Sequence, residues 1–224
     1  RRTAPPHRPT PAARRDVREN KGFFTFSLTL SRLLMKNMIF LPGRMHHVYN
    51  RGNNRQPIFF GRDNYLLFLK KAQQHLLPHC DILAYCLMPN HFHFMLETHE
   101  TVQPNALNLS IGTLLSSYTQ AVNLRLRRTG SVFQQHSKAK CLEVSDAQYP
   151  LICFHYIHQN PYVARLCKRM EEWEFSSFCD YLGRPAGLCN QAKAHQLLDL
   201  PTDHQMFYEQ SYRTIPSDRL RGIF

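Results

Sequence analysis

The chain has 224 residues, 43% of them hydrophobic, with a formal net charge of +12 and a pI near 9.6. That length suits one domain with appendages or at most two small domains, and that apolar content excludes a chain too polar to build a core. Seven cysteines, an odd number with no Cys-x-x-Cys pair, exclude a disulfide framework and a zinc ribbon.

Free thiols in a reducing cytoplasm are therefore expected. No apolar run reaches the ~20 residues that span a bilayer, and the apolar stretch Phe23–Leu34 is interrupted by Ser, Thr and Arg, so it makes a poor signal peptide. The positive excess points to a polyanionic partner, nucleic acid first and an anionic membrane second.

Within residues 1–34, the first 22 set Arg1, Arg2, Arg8, Arg14, Arg15, Arg18 and Lys21 against Asp16 and Glu19, with Pro5, Pro6, Pro9 and Pro11 breaking regular structure. This composition predicts a disordered basic tail upstream of the working fold, with a DNA-grazing arm as the alternative. Residues 35–185 are expected to form the main domain and 186–224 a C-terminal extension.

Met45–Asn53 predicts a strand running into a turn. Asp63 reads as the N-cap of a helix over Tyr65–Leu77, with Leu66, Leu69, Ala72 and Leu76 at helical spacing and Pro78 as its stop. Asp81–Leu87 and His91–Glu97 read as a hairpin around Pro89-Asn90. A helix over Leu107–Leu126 follows, with Arg125, Arg127 and Arg128 at the end where cations suit the helix dipole. Ser131–Glu143 reads as extended, with Lys138 and Lys140 on one face. Asp146 should cap a last helix through about His158. The order β-α-β-β-α-β-α predicts an α+β fold: a ferredoxin-like or RRM-like four-stranded antiparallel sheet with helices packed on one face.

Two stretches carry the chemistry. In Leu87-Met88-Pro89-Asn90-His91-Phe92-His93-Phe94-Met95-Leu96, strand alternation puts His91 and His93 on one face, about 6–7 Å apart, and Phe92, Phe94 and Leu96 on the other. Such a pair is either a half-buried couple with no ligand or two thirds of a metal site. In Phe154-His155-Tyr156-Ile157-His158-Gln159-Asn160-Pro161, Tyr156 and Asn160 share a helical face one turn apart. Pro161 should end or kink the helix at Asn160, freeing the amide oxygen as a hard ligand for Mg²⁺ or Mn²⁺. The plain alternatives are a core tyrosine, an ordinary helix stop, and surface positions for His155 and His158.

Together, Met-Pro-Asn-His-Phe-His at 88–93 and Tyr-Ile-His-Gln-Asn-Pro at 156–161 resemble the single-tyrosine HUH transposase superfamily, and more closely its REP-associated tyrosine transposases. His47-Val48-Tyr49-Asn50-Arg51-Gly52-Asn53, Val132-Phe133-Gln134, Lys138-Ala139 and Trp173-Glu174-Phe175-Ser176-Ser177 agree, so the likeness spans Met45 to Gly183. One stretch departs: Gln135-His136-Ser137 stands where the family often has Gly-Arg-Tyr/Phe. The resemblance implies Tyr156 as nucleophile and His91, His93 and Asn160 as ligands of Mg²⁺ or Mn²⁺. It also implies single-stranded or hairpin DNA of REP type as partner, no membrane, a bacterial cytoplasmic, nucleoid-associated location, and a monomer or homodimer. Arg51, Lys138, Lys140 and Arg165 are the candidate DNA-backbone contacts, each with an ordinary surface charge as its alternative.

Three functions are expected to compete. They are a metal-dependent DNA-nicking and rejoining enzyme working through a 5′-phosphotyrosine, a non-catalytic nucleic-acid-binding module on an RRM-like sheet, and a nuclease that hydrolyses with water.

Overall fold

The computed structural model describes residues 40–103, 105–142, 148–184, 187–216 and 219. The expectations for residues 1–34 and for the Asp146 cap fall outside them. Four strands run through the described residues: β1 (Met45–Arg51), β2 (Cys80–Met88), β3 (His91–Thr98) and β4 (Lys138–Cys141). They pair antiparallel in the order β2-β3-β1-β4. Three helices interleave with them: α1 (Arg62–Leu76), α2 (Ala106–Leu126) and α3 (Tyr149–Val163). The α+β class and the element order are as the periodicities predict.

One half of the layering differs from expectation. The helices α1 and α2 cover one face, where Phe68 and Tyr118 close on Val48, Phe92, Phe94 and Leu96. The helix α3 instead packs on the opposite face against Met45, Ala84, Cys86, Met88 and Met95. Both sheet faces are therefore apolar over much of their area. The near-continuous burial of Ile82–Met88 follows from this two-sided cover. A bulge between Ile82 and Ala84 turns Leu83 and Ala84 both toward the α3 side.

Helix ends depart in detail from expectation. The first helix starts at Arg62, and Asp63 lies inside its first turn, where its carboxylate meets Arg125 at 2.9 Å instead of capping. Pro161 does not end α3 at Asn160; the helix runs on to Val163. Only one turn follows the proline, and it closes through Ala164 N–H to Asn160 O (2.9 Å) and Leu166 N–H to Pro161 O (2.9 Å). A single lost N–H near a terminus is tolerated more cheaply than one in mid-helix.

The outer edge of β2 is closed by the stretch after α3. Phe175 O accepts from Leu87 N–H (2.9 Å), Trp173 Nε1 donates to Leu87 O (3.1 Å), and Ser177 Oγ accepts from Tyr85 N–H (2.9 Å). This is how the chain keeps a strand edge from pairing with another molecule. Two short helices follow, α4 (Gln191–Leu198) and α5 (His204–Ser211), capped by Asn190 and Asp203. Ala194, Leu198, Leu200 and Phe207 enter the core beneath α3 with Phe154, Phe178 and Tyr181. Residues from Met38 onward form one compact unit. All seven cysteines are free thiols. No helix among the described residues is long and apolar enough to cross a membrane.

Candidate active site

Strand parity builds the site. On β3, Phe92, Phe94 and Leu96 go to the α1–α2 core, while His91 and His93 share the α3 face, with ring centroids 5.0 Å apart. The neighbouring β1 pairs Tyr49 with His93 and Arg51 with His91, so His47, Tyr49 and Arg51 join the same face. The hairpin turn is held by the loop after β1: Pro89 O accepts from Ile58 N–H (2.8 Å) and Phe59 N–H (3.2 Å), and Gly52 N–H donates to Asn90 O (2.8 Å). Gly52 cannot be replaced there without rearrangement, because a Cβ would stand 2.1 Å from Gln56 O.

The helix α3 brings the phenol to the same place. The Tyr156 ring lies edge-on 5.7 Å from His93 and 6.4 Å from His47. One turn on, Asn160 Nδ2 donates to Tyr156 O (2.8 Å), which fixes the amide and turns Oδ1 away from that bond. The Asn160 side chain lines one hollow with Tyr156 and His91. Tyr156, Asn160, His91 and His93 thus converge within a single chain.

The imidazoles are neutral bases. Burial, with Arg51 nearby, holds His91 down to about 4, and burial with the His47, His91 and Arg51 charges holds His93 well below the usual histidine range. Burial pushes the Tyr156 phenol above its ordinary value, partly offset by the Asn160 hydrogen bond. His91 Nδ1 is tied to Asn90 Oδ1 at 2.6 Å and His93 Nδ1 to His47 Nε2 at 2.9 Å. His93 Nε2 is buried with no hydrogen-bond partner among the described residues. An orphaned buried nitrogen asks for a ligand. Two imidazoles whose far nitrogens are tied, beside an amide oxygen, form a donor set that fits a divalent cation. Among the described residues no three His, Cys, Asp or Glu side chains gather at one point, so a cation here would take its third protein donor from Asn160.

Two hollows flank the histidines. One, of about 330 Å³, is lined by Tyr49, Arg51, His91, His93, His136 and Lys138 among others. The other, of about 490 Å³, lies on the α3 side, between His91, Tyr156, Asn160, Tyr162, Tyr212 and Ile215. Of the candidate DNA contacts, Arg51 and Lys138 line the first hollow, with the Lys138 ammonium 5.7 Å over the Tyr49 ring. Lys140 sits over the Tyr149 ring at 4.8 Å. Arg165 lies beyond the end of α3, in a separate depression with Lys168 and Glu172.

His155 and His158 are not surface residues. Both are buried; His158 Nε2 meets Ser177 Oγ at 2.7 Å, and neither ring nitrogen of His155 has a partner among the described residues. The roles of His47 and Asn90 escape a reading of β3 alone. Their signal is the parity of His47-Val48-Tyr49 once β1 is placed beside β3.

This is an antiparallel sheet carrying a histidine pair on one face, with a tyrosine helix laid across that face. Among solved structures, a REP-associated tyrosine transposase bound to a REP hairpin shares this fold, with a TM-score of 0.53, 16% sequence identity, and coverage of 67% of this chain and 89% of that one. No protein-family model and no curated protein matches the chain.

Proposed function

We propose that the chain is a metal-dependent transposase-like endonuclease that cuts and rejoins single-stranded DNA beside REP-like hairpins through a covalent 5′-phosphotyrosine. The observation that carries this reading is the meeting of the Tyr156 ring with His93, beside an orphaned His93 Nε2 and the Asn160 amide. The solved neighbour, a tyrosine transposase with a REP hairpin bound, supports it, as does the net charge of +12. His91, His93 and Asn160 would hold Mg²⁺ or Mn²⁺, which when bound supplies Lewis-acid polarisation of a phosphate oxygen.

The remaining chemistry falls to the chain. Arg51 and Lys138 place the DNA backbone in the hollow beside the histidines. The Tyr156 oxygen attacks phosphorus in line; the Tyr–O–P bond forms and the P–O3′ bond breaks. The phenol gives up its proton and the departing 3′ oxygen gains one. The phosphodiester energy is kept in the adduct, so a 3′-OH can later attack it and rejoin a strand. An ordinary phenol is already protonated near neutral pH and burial pushes Tyr156 further in that direction, so a cation beside its oxygen would favour the attacking phenolate.

Mixing the protein with labelled single-stranded hairpin DNA and Mg²⁺ or Mn²⁺ tests this. A covalent adduct on a denaturing gel, lost in Tyr156→Phe while hairpin binding persists, is expected. Binding without cleavage would establish a binding module instead, and cleavage without an adduct a water-using nuclease. An adduct that survives in Tyr156→Phe would refute the nucleophile.

A further inference from the structure

We propose that His47 is a positioning residue that decides whether His93 can hold a cation, by accepting the proton on the far nitrogen of the His93 ring. The inference rests on the reading of His91, His93 and Asn160 as a cation site.

His47 is fully buried on β1, opposite Met95 of β3 and Lys140 of β4. Its ring stacks 4.8 Å from Tyr49 at 24°, lies nearly coplanar and edge to edge with His93 (centroids 5.1 Å apart, 16°), and has the Tyr156 ring edge-on at 6.4 Å. These neighbours hold the imidazole in one orientation, with Nε2 at 2.9 Å from His93 Nδ1.

A neutral imidazole carries one proton on two nitrogens. The His47–His93 contact therefore has two forms. In one, His93 Nδ1–H donates to His47 Nε2, and His93 Nε2 keeps its lone pair. In the other, His47 Nε2–H donates to His93 Nδ1, and the His93 proton sits on Nε2, where it blocks ligation. His93 Nε2 is the buried atom with no partner among the described residues. Only the first form lets a cation satisfy it. His47 must then keep its own proton on Nδ1.

The contrast with His91 sharpens the point. His91 Nδ1 faces Asn90 Oδ1 at 2.6 Å, and an amide oxygen can only accept. The orienting partner of His91 has one role; that of His93 has two, and its tautomer sets which ligand is presented. Outer partners of this kind commonly change metal affinity 10- to 100-fold when removed.

The test compares Mn²⁺ affinity, read by electron paramagnetic resonance or calorimetry, in the full chain and in His47→Leu and His47→Gln. His47→Leu should weaken binding about 10- to 100-fold. His47→Gln, whose side-chain oxygen accepts the same proton, should retain most of the affinity. In the Mg²⁺-saturated wild type, nitrogen-15 imidazole spectra should place the His93 proton on Nδ1, and this reading stands even if a variant fails to fold. Wild-type affinity in His47→Leu, or equal losses in both variants, would each overturn the assignment of His47 alone. A His93 proton on Nε2 in the Mg²⁺-saturated wild type would overturn His93 as a ligand, and with it the cation site. A wild type that binds neither cation would overturn the cation site as well.

Discussion

The buried histidine pair of α3, His155 and His158, makes the fold sensitive to acid, and the His155 share follows from its lowered pKa. Its ring is buried against Phe154 and Phe207, with both nitrogens lacking partners among the described residues. Burial, with Arg213 nearby, lowers it from 6.5 to about 4. Between those values the unfolded chain binds the proton and the folded chain does not, so stability falls as pH drops through the unfolded pKa of 6.5 toward 4. The full difference is about 3 kcal/mol at roughly 1.4 kcal/mol per pKa unit, and about 2 kcal/mol of it is lost by pH 5. His158, held well below the usual range by burial and by His155, acts in the same direction. Urea unfolding of wild type and His155→Leu at pH 7.5 and pH 5.0 measures this. The wild type should lose about 2 kcal/mol more than the variant between the two pH values. Equal losses would show that the His155 ring finds a partner when charged, and the reasoning from its burial would fail.

Three more outcomes follow from the same contacts. Tyr118 is fully buried and its hydroxyl donates to Ile58 O at 2.6 Å, so Tyr118→Phe should cost about 1–3 kcal/mol in denaturant unfolding by stranding that carbonyl. Saturating Mn²⁺ at a hundred times its Kd should stabilise the wild type by about 2.7 kcal/mol, and Asn160→Ala should erase that gain in a thermal shift assay while the apo protein stays folded. Lys138→Ala should reduce the slope of log affinity for hairpin DNA against log salt by about one, read by fluorescence anisotropy; Asp203→Ala, at the cap of α5, should leave that slope unchanged.

Local patterns were enough to recover the element order, the hairpin at Pro89-Asn90, and the split of His91 and His93 from Phe92 and Phe94, because each depends on residues a few positions apart. What they could not supply depends on distant partners. The two-sided cover of the sheet, and with it the burial of His155 and His158, arises because Phe207 and Tyr181 arrive from the far end of the chain. Pro161 looked like a helix stop because the preceding-residue rule is local, while α3 is held in place by β2, β3 and the C-terminal segment. His47 sits in a legible strand, but its relation to His93 appears only when β1 is set beside β3.

Gln159 lies between the phenol-bearing residue and the amide, and its Nε2 is gripped by two carbonyls, Ser211 O at 2.7 Å and Arg213 O at 2.9 Å. The helical turn that carries Tyr156 is thereby bolted to the end of α5 and the stretch just after it. Trimming the protein just after α5 would remove the Arg213 carbonyl and loosen the bracket that holds the Tyr156 turn of α3 against the sheet.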